Sequence, residues 1–321
     1  MDPGKKQFLN VKLSGIMKKT IFLLFLLMGF GAYSQQDALH TQYMFNKLLV
    51  NPAYAGSREV LTIDLLNRSQ WVGIDGAPQT LTFGAHMAMR NRKVGVGMYG
   101  YRDALGPSIH QGLMATYAYR LLFENSSFSF GLQAGFKYFD FQWDMIRVKY
   151  PDDYFYPREV RKITPDLNLG VYYQSPKFYA GLSSKQLLEN EYGVTKTQNG
   201  STSFTRLLRH FYLMSGAVFP VNEDIFFRPS VLAKYVKNAP LQADFNASFL
   251  FKNTFWVGAS YRTLKAIAFL AEFQINPRIR LGYSYDIYLN ELQPHNYGSH
   301  EIRLSFDVDV YRFRMKTPRF F

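Results

Sequence analysis

The feature that most constrains the fold is a long alternation between apolar and polar side chains. At residues 241–251 the odd positions hold only Leu, Ala and Phe, whereas positions 242, 244, 246 and 248 hold Gln, Asp, Asn and Ser. The same alternation covers residues 128–138, 278–287 and 301–310. A period of two is typical of β-strands with one apolar and one polar face. The sequence therefore predicts an all-β protein.

The predicted strands are long. Most have about nine to twelve residues, the length that a tilted strand needs to cross the hydrocarbon layer, whereas strands of soluble sandwiches have about five or six. We predict a transmembrane outer-membrane β-barrel of about fourteen antiparallel strands. A large soluble β-sandwich is the competing architecture, because its alternation looks the same in sequence. The predicted strands lie near residues 58–66, 79–90, 93–102, 109–122, 127–140, 166–174, 177–184, 208–219, 224–236, 241–251, 254–262, 266–275, 278–288 and 299–310, so the predicted barrel spans residues 58–310.

The connections between these strands differ in length. Short segments rich in Pro, Asn, Ser and charge alternate with segments that can be long, namely 67–78, 141–165, 185–207 and 289–298. Membrane barrels have short periplasmic turns and longer outer loops. With an even number of strands, both termini should lie on the periplasmic rim with the short turns.

An export signal precedes the strands. Met17, Lys18 and Lys19 begin an apolar run near residues 21–31, and small residues follow it up to Ser34. This order is typical of a secretory signal peptide, so we predict a signal peptide at residues 17–34 and an upstream extension at residues 1–16. Together with the strand pattern, it predicts localisation in the outer membrane.

Composition argues against several other functions. The chain has 37 basic and 24 acidic residues, but the basic residues are scattered, so we expect no nucleic acid partner. It has no cysteine and therefore neither a disulfide framework nor a lipidated cysteine anchor. We find no phosphate-binding loop, no metal-ligand cluster and no paired nucleophile and base. The expected protein is not an enzyme, has no cofactor and is in contact with outer-membrane lipid.

Three stretches fall outside the strand pattern. Residues 35–57 are aromatic and apolar without alternation, which predicts an N-terminal segment that plugs the barrel. In the loop at residues 71–78, a loop folded on itself and a contact with a partner remain equally open. The tail at residues 311–321 is basic and either docks a periplasmic partner or merely extends the last strand. The candidate residues are Gln42, Tyr43, Phe45, Asn51, Pro52 and Tyr54 in the segment, Trp71 and Asp75 in the loop, and Arg312, Arg314, Lys316 and Arg319 in the tail.

Several blocks resemble the PorP/SprF family of type IX secretion system membrane proteins from Bacteroidetes. They are Gln42-Tyr43-Met44-Phe45-Asn46, residues 51–57 from Asn51-Pro52 to Gly56-Ser57, residues 68–78 from Arg68-Ser69-Gln70-Trp71 to Pro78, Gly298-Ser299-His300-Glu301-Ile302, and the terminal Pro318-Arg319-Phe320-Phe321. The resemblance implies an outer-membrane barrel that serves protein secretion or gliding motility. It also implies two partners: a secreted protein or adhesin with a type IX C-terminal sorting domain, and a periplasmic OmpA-like protein that binds peptidoglycan.

The leading functional hypothesis is therefore a non-enzymatic component of type IX secretion that holds or helps to deliver a secreted protein. The alternative is a transporter or pore for small hydrophobic molecules. The strand register adds one further expectation. Arginine at Phe245 or Tyr283 should meet lipid and destabilise the barrel, whereas arginine at Asn246 or Ser284 should enter the lumen at lower cost.

Overall fold

The computed structural model describes residues 40–142, 145, 160–196, 202–263 and 265–311. Long alternating segments form its strands, because every second side chain faces one side of the sheet. The strands are β1 (Leu61–Ser69), β2 (Gln79–Ala88), β3 (Val94–Leu105), β4 (Ser108–Leu122), β5 (Ser127–Phe141), β6 (Val160–Gln174), β7 (Phe178–Lys185), β8 (Glu191–Lys196), β9 (Thr202–Arg206), β10 (His210–Ala217), β11 (Phe219–Pro220), β12 (Ile225–Val236), β13 (Gln242–Phe251), β14 (Phe255–Arg262), β15 (Ala266–Asn276), β16 (Ile279–Tyr288) and β17 (Ser299–Val308).

Fourteen of these strands form a closed antiparallel barrel. Each wall strand pairs with the next one along the chain. β10 pairs with β12, and the two-residue β11 that lies between them in sequence also pairs with β12. β1 pairs with β17 from Leu61↔Val308 to Ser69↔His300, which closes the barrel. Closure leaves none of the described wall strands with an open edge, which a chain in lipid requires. The prediction of an outer-membrane barrel with fourteen antiparallel strands is confirmed.

The two faces of the wall follow the predicted register. Phe245 on β13 has 53% of its surface exposed on the outside of the barrel, whereas the adjacent Asn246 is only 5% exposed. Tyr283 and Ser284 on β16 show the same contrast. Polar side chains thus face the lumen and apolar side chains face outward, as lipid contact requires.

The rims differ from the prediction in detail. The predicted loop at residues 185–207 contains the hairpin β8–β9, and β6 begins at Val160 instead of residue 166. Within the described residues no helix has the length and apolar character needed to cross a membrane.

We name the two rims by their connections. The short-turn rim carries residues 89–93, 123–126, 175–177, 221–224, 252–254 and 277–278, and the long-loop rim at the opposite end carries residues 70–78, 186–209 and 289–298. Not every connection on the long-loop rim is long, since β3 and β4 are joined only by Gly106 and Pro107.

Candidate functional site

Every residue from 41 to 57 is buried, and we call this stretch the lumenal segment. Two short 3₁₀ turns, Lys47–Leu49 and Pro52–Tyr54, replace strand structure in it. Asn51 starts the second turn, because its side-chain oxygen accepts a hydrogen bond from the Ala53 nitrogen at 2.9 Å. Pro52 follows at the first position, where its missing N–H costs nothing. The Asn-Pro pair therefore ends any extended structure here.

The lumenal segment runs along the barrel from one rim toward the other. Thr41 contacts Asp286 near the end of β16 and Glu301 near the start of β17, and both positions lie at the long-loop rim. Gly56 contacts His86 and Arg120 near the ends of β2 and β4, at the short-turn rim. The described chain thus enters the lumen at the long-loop end, although β1 starts and β17 ends at the short-turn end. Periplasmic termini stay a prediction.

Buried carboxylates hold the beginning of the segment. Glu301 accepts hydrogen bonds from the backbone nitrogens of Thr41 at 2.9 Å and Gln42 at 2.8 Å. Asp286 accepts from the Thr41 hydroxyl at 2.8 Å. Arg68 lies between the two carboxylates, 2.6 Å from Asp286 and 3.2 Å from Glu301. Charge-assisted bonds of this kind are stronger than neutral ones, so the segment has a firm anchor at the long-loop end.

The anchor belongs to a larger chain of ion pairs around the lumen wall. Arg262 lies 3.6 Å from Asp286 and 3.2 Å from Asp244, and Asp244 also pairs with Lys234 at 3.3 Å. With Arg68 and Glu301 this makes three cations and three anions, which we call the paired-charge network. A buried charge is costly unless it is paired, so removal of one member should destabilise the barrel strongly.

Arg303 anchors the middle of the segment. Its guanidinium is fully buried, pairs with Asp64 at 2.8 Å and with Glu272, and donates to the Phe45 carbonyl at 3.3 Å. The Phe45 ring packs edge-on against Trp256 with centroids 6.2 Å apart. Tyr43 bonds through its hydroxyl to Asn246 on β13. The candidate plug residues thus contact side chains from several wall strands.

The side chain of Lys47 is buried next to two tyrosine rings. Its Nζ lies 4.6 Å from the Tyr179 ring centroid and 5.2 Å from that of Tyr54. Burial lowers the pKa of Lys47 well below its usual range, and the nearby cations Arg228 and Arg58 lower it further. The packed segment therefore destabilises the protonated amine at this position relative to a lysine in water.

Glycines in the wall let the second half of the segment approach closely. A Cβ added at Gly131 would lie 2.1 Å from the Ala53 nitrogen, and one at Gly170 would lie 2.1 Å from the Asn51 side-chain oxygen. Asn51 also donates to the Val171 carbonyl at 2.8 Å. Glycine at these positions permits the close approach, because a side chain would collide with the segment.

The loop after β1 packs against its neighbour on the long-loop rim. The Val72 nitrogen donates to the Gly298 carbonyl at 2.9 Å, and the Tyr297 nitrogen donates to the Val72 carbonyl at 2.7 Å. Trp71 lies edge-on to Tyr288 with centroids 6.0 Å apart, next to the paired-charge network. Asp75 is exposed and does not reach this cluster. The loop is thus held by its neighbour, and its contact with a partner stays a prediction.

Three sequence blocks that are far apart in the chain therefore converge, and a fourth lies at the other end of the lumenal segment. Gln42, Arg68 and Glu301 come from the three blocks and share one cluster, while the block from Asn51 to Ser57 fills the other end of the lumenal segment. The roles of Asp286, Arg262 and Arg303 were missed. The available signal was a set of charges at inward positions of neighbouring strands. The four basic tail residues, Arg312, Arg314, Lys316 and Arg319, lie outside the described residues.

Among the described residues, no group of three or more His, Asp or Glu side chains could hold a metal ion.

The sequence matches the family of the type IX secretion system membrane protein PorP/SprF over residues 32–306. No curated protein matches the chain. Among solved structures, the chain is similar to the outer membrane protein Omp33 of Acinetobacter baumannii, with 9% identity, coverage of 78% of this chain and 99% of that one, and a TM-score of 0.45. It is also similar to the toluene transporter TodX of Pseudomonas putida (10% identity, 85% and 95% coverage, TM-score 0.47) and to the monoaromatic hydrocarbon channel CymD (12%, 87% and 94%, 0.48).

Proposed function

Because the chain belongs to the PorP/SprF family of type IX secretion system membrane proteins, we propose that it holds or helps to deliver a secreted protein or gliding adhesin at the cell surface. In this role it is a non-enzymatic component of the outer membrane. The observation that carries the proposal is the family match, which spans the lumenal segment and nearly all of the wall.

The contents of the lumen support a holding role over a conducting one. The lumenal segment is buried along its length and bonded to β16 and β17 at one end and to β2 and β4 at the other. We propose that it acts as a plug. A transporter of small hydrophobic molecules, the alternative function, would have to displace these contacts or bypass them. The partner protein is therefore expected to meet the rims of the barrel instead of passing through it.

The test is purification of the tagged protein from its native host. A secreted protein with a C-terminal sorting domain should co-purify with it. Exposed residues of the long-loop rim should carry the contact, so Asp75→Lys and Tyr297→Ala should reduce capture. Glu223→Lys on the opposite rim is the matched control, because this side chain is equally exposed.

Two results would contradict the proposal. One is the absence of any protein with a sorting domain from the purified complex. The other is normal secretion and normal surface display of adhesins in a strain that lacks the protein. Conductance through the purified wild-type barrel would instead favour the transporter alternative.

The basic tail is the proposed contact for the periplasmic OmpA-like partner. Replacing Arg312, Arg314, Lys316 and Arg319 by serine should release that partner while the barrel remains folded. A contact made by these cations should also weaken as salt rises, because screening shortens the range of charge interactions. Retention of the partner by the serine variant at both low and high salt would show that the tail is not the docking site.

A further inference from the structure

The short-turn end of the lumen contains a half-enclosed cavity of about 870 Å³. The turn residues Lys252, Asn253 and Thr254 line its mouth together with Asn276 and Pro277. Ligand cavities in proteins commonly have volumes of roughly 300–1,000 Å³. The cavity is thus large enough for a small organic molecule.

One wall of the cavity is apolar although it faces the lumen. Phe226, Leu250 and Trp256 come from the adjacent strands β12, β13 and β14. Leu250 continues the inward register of Asn246 and Ser248, so it interrupts an otherwise polar face. A ligand that covers this apolar surface removes it from water, which favours binding.

The wall formed by the next strands, β15 to β17, is charged, and most of its groups already have partners. Glu272 is the cross-strand neighbour of Trp256 and pairs with Arg303, and Asp307 accepts from Arg58 at 2.9 Å and from Arg280 at 3.0 Å. Arg280 is only 9% exposed, yet its Nε has no hydrogen-bond partner. Among the described residues that line the cavity, it is the only buried side-chain polar atom without one. A buried donor without a partner is costly, so the cavity favours a hydrogen-bond acceptor.

We propose that this cavity binds a small amphipathic carboxylate. The carboxylate accepts from Arg280 Nε, and the apolar body lies against Trp256, Leu250 and Phe226. Guanidinium groups bind carboxylates through strong charge-assisted hydrogen bonds, and an aromatic wall favours an aromatic or alkyl body. Lys252 at the mouth adds a second cation. This binding site is independent of the proposed role in secretion, because it lies at the short-turn end and requires no secreted partner.

The experiment is calorimetric titration of the full-length protein in lipid nanodiscs. The probe is 4-phenylbutyrate, its neutral analogue is 4-phenylbutanol, and empty nanodiscs correct for partition into lipid. We expect saturable binding of one 4-phenylbutyrate, at least about tenfold tighter than binding of the alcohol, since charge-assisted hydrogen bonds exceed neutral ones by this order. Arg280→Met should abolish the preference for the acid. Arg278→Met is the matched control on the exposed turn and should leave it unchanged.

A second variant covers the case in which Arg280→Met does not fold. Thr254→Trp places a bulky side chain at the exposed mouth of the cavity and leaves the buried ion pairs intact. It should weaken binding of 4-phenylbutyrate at least about tenfold through steric exclusion. The proposal is overturned if wild type shows no saturable binding, if acid and alcohol bind equally, or if Thr254→Trp and a folded Arg280→Met both bind like wild type.

Discussion

The two ends of the barrel lumen are built from the same alternating strands but are filled in different ways. At the long-loop end, Arg68, Asp286 and Glu301 pair with one another and bind the start of the lumenal segment. At the short-turn end, Trp256 and Leu250 face a cavity of about 870 Å³, and Arg280 keeps an unpartnered Nε.

The difference lies in what occupies each end of the lumen. At the long-loop end the lumenal segment and the paired-charge network fill the space. At the short-turn end a cavity remains, and Arg280 Nε is the one buried side-chain polar atom without a partner among the described residues that line it. The same barrel architecture therefore holds a packed segment at one end and a cavity at the other. Each of the following predictions would sharpen or contradict this contrast.

Removal of the segment should have the largest effect. Deletion of residues 42–51 removes Gln42 from the anchor at the long-loop end together with the middle of the segment, and the barrel should then conduct ions and admit antibiotics. Planar-bilayer conductance and antibiotic sensitivity measure the result. Unchanged permeability in a folded barrel would mean that the segment does not act as a plug.

Loss of a buried cation should lower the free energy of unfolding more at the long-loop end than beside the cavity. Arg68→Met leaves Glu301 without a cation and should lower the free energy of unfolding by about 3–5 kcal/mol. Arg280→Met should cost less, because Asp307 keeps its ion pair with Arg58. Urea unfolding followed by heat modifiability on gels measures both. Equal losses for the two variants would contradict the contrast between the ends.

Substitution by arginine tests how tightly the side chains are packed at each end of the lumen. Sequence alone predicts that Ser284→Arg costs less than arginine on the lipid face, but Ser284 is fully buried in the packed lumen. We now expect a loss of at least about 3 kcal/mol, since overpacking and an unpaired charge add. Gln274 lines the cavity, so Gln274→Arg should change the free energy of unfolding by less than about 0.5 kcal/mol. Similar folding yields would indicate that the lumen is looser than its contacts suggest.

Two wall glycines give a smaller, matched test of segment packing. Gly131→Ala places a Cβ against the Ala53 backbone and should cost about 1–3 kcal/mol. Gly100→Ala meets only ordinary contacts, the nearest at 3.5 Å, and should cost less than about 0.5 kcal/mol. Urea unfolding curves of the two variants measure the difference in their free energies of unfolding. A harmless Gly131→Ala would argue that the segment does not lie against β5.

The smallest expected effect is a pH dependence from Lys47. Its pKa is lowered in the folded protein, so between that value and the ordinary lysine value of about 10.4 the unfolded chain binds more protons. Stability should therefore rise with pH through this window. Lys47→Met should flatten the rise, whereas Lys177→Met at an exposed position should not. A slope that is identical in wild type and Lys47→Met would exclude a lowered pKa at Lys47.

The wall could be predicted from the sequence because its signal is local. The alternation around Phe245 and Asn246 assigns each side chain to a face without knowledge of any other strand. The hairpin β8–β9 was missed because residues 185–207 lack a clean alternation. The family blocks led to Gln42, Trp71 and the Asn51-Pro52 pair, but their sequence did not reveal which wall residues they contact.

By itself, the sequence determined the all-β class, the faces of the strands and the buried character of the lumenal segment, because these follow from periodicity and composition. Only the tertiary structure decided that Thr41 and Gln42 meet Asp286 and Glu301 across about 245–260 residues of chain, a separation at which no local pattern acts. It also decided that Ser284 is enclosed while Gln274 borders a cavity. Both residues are polar and lie in alternating strands, and what separates them is the position of another part of the chain.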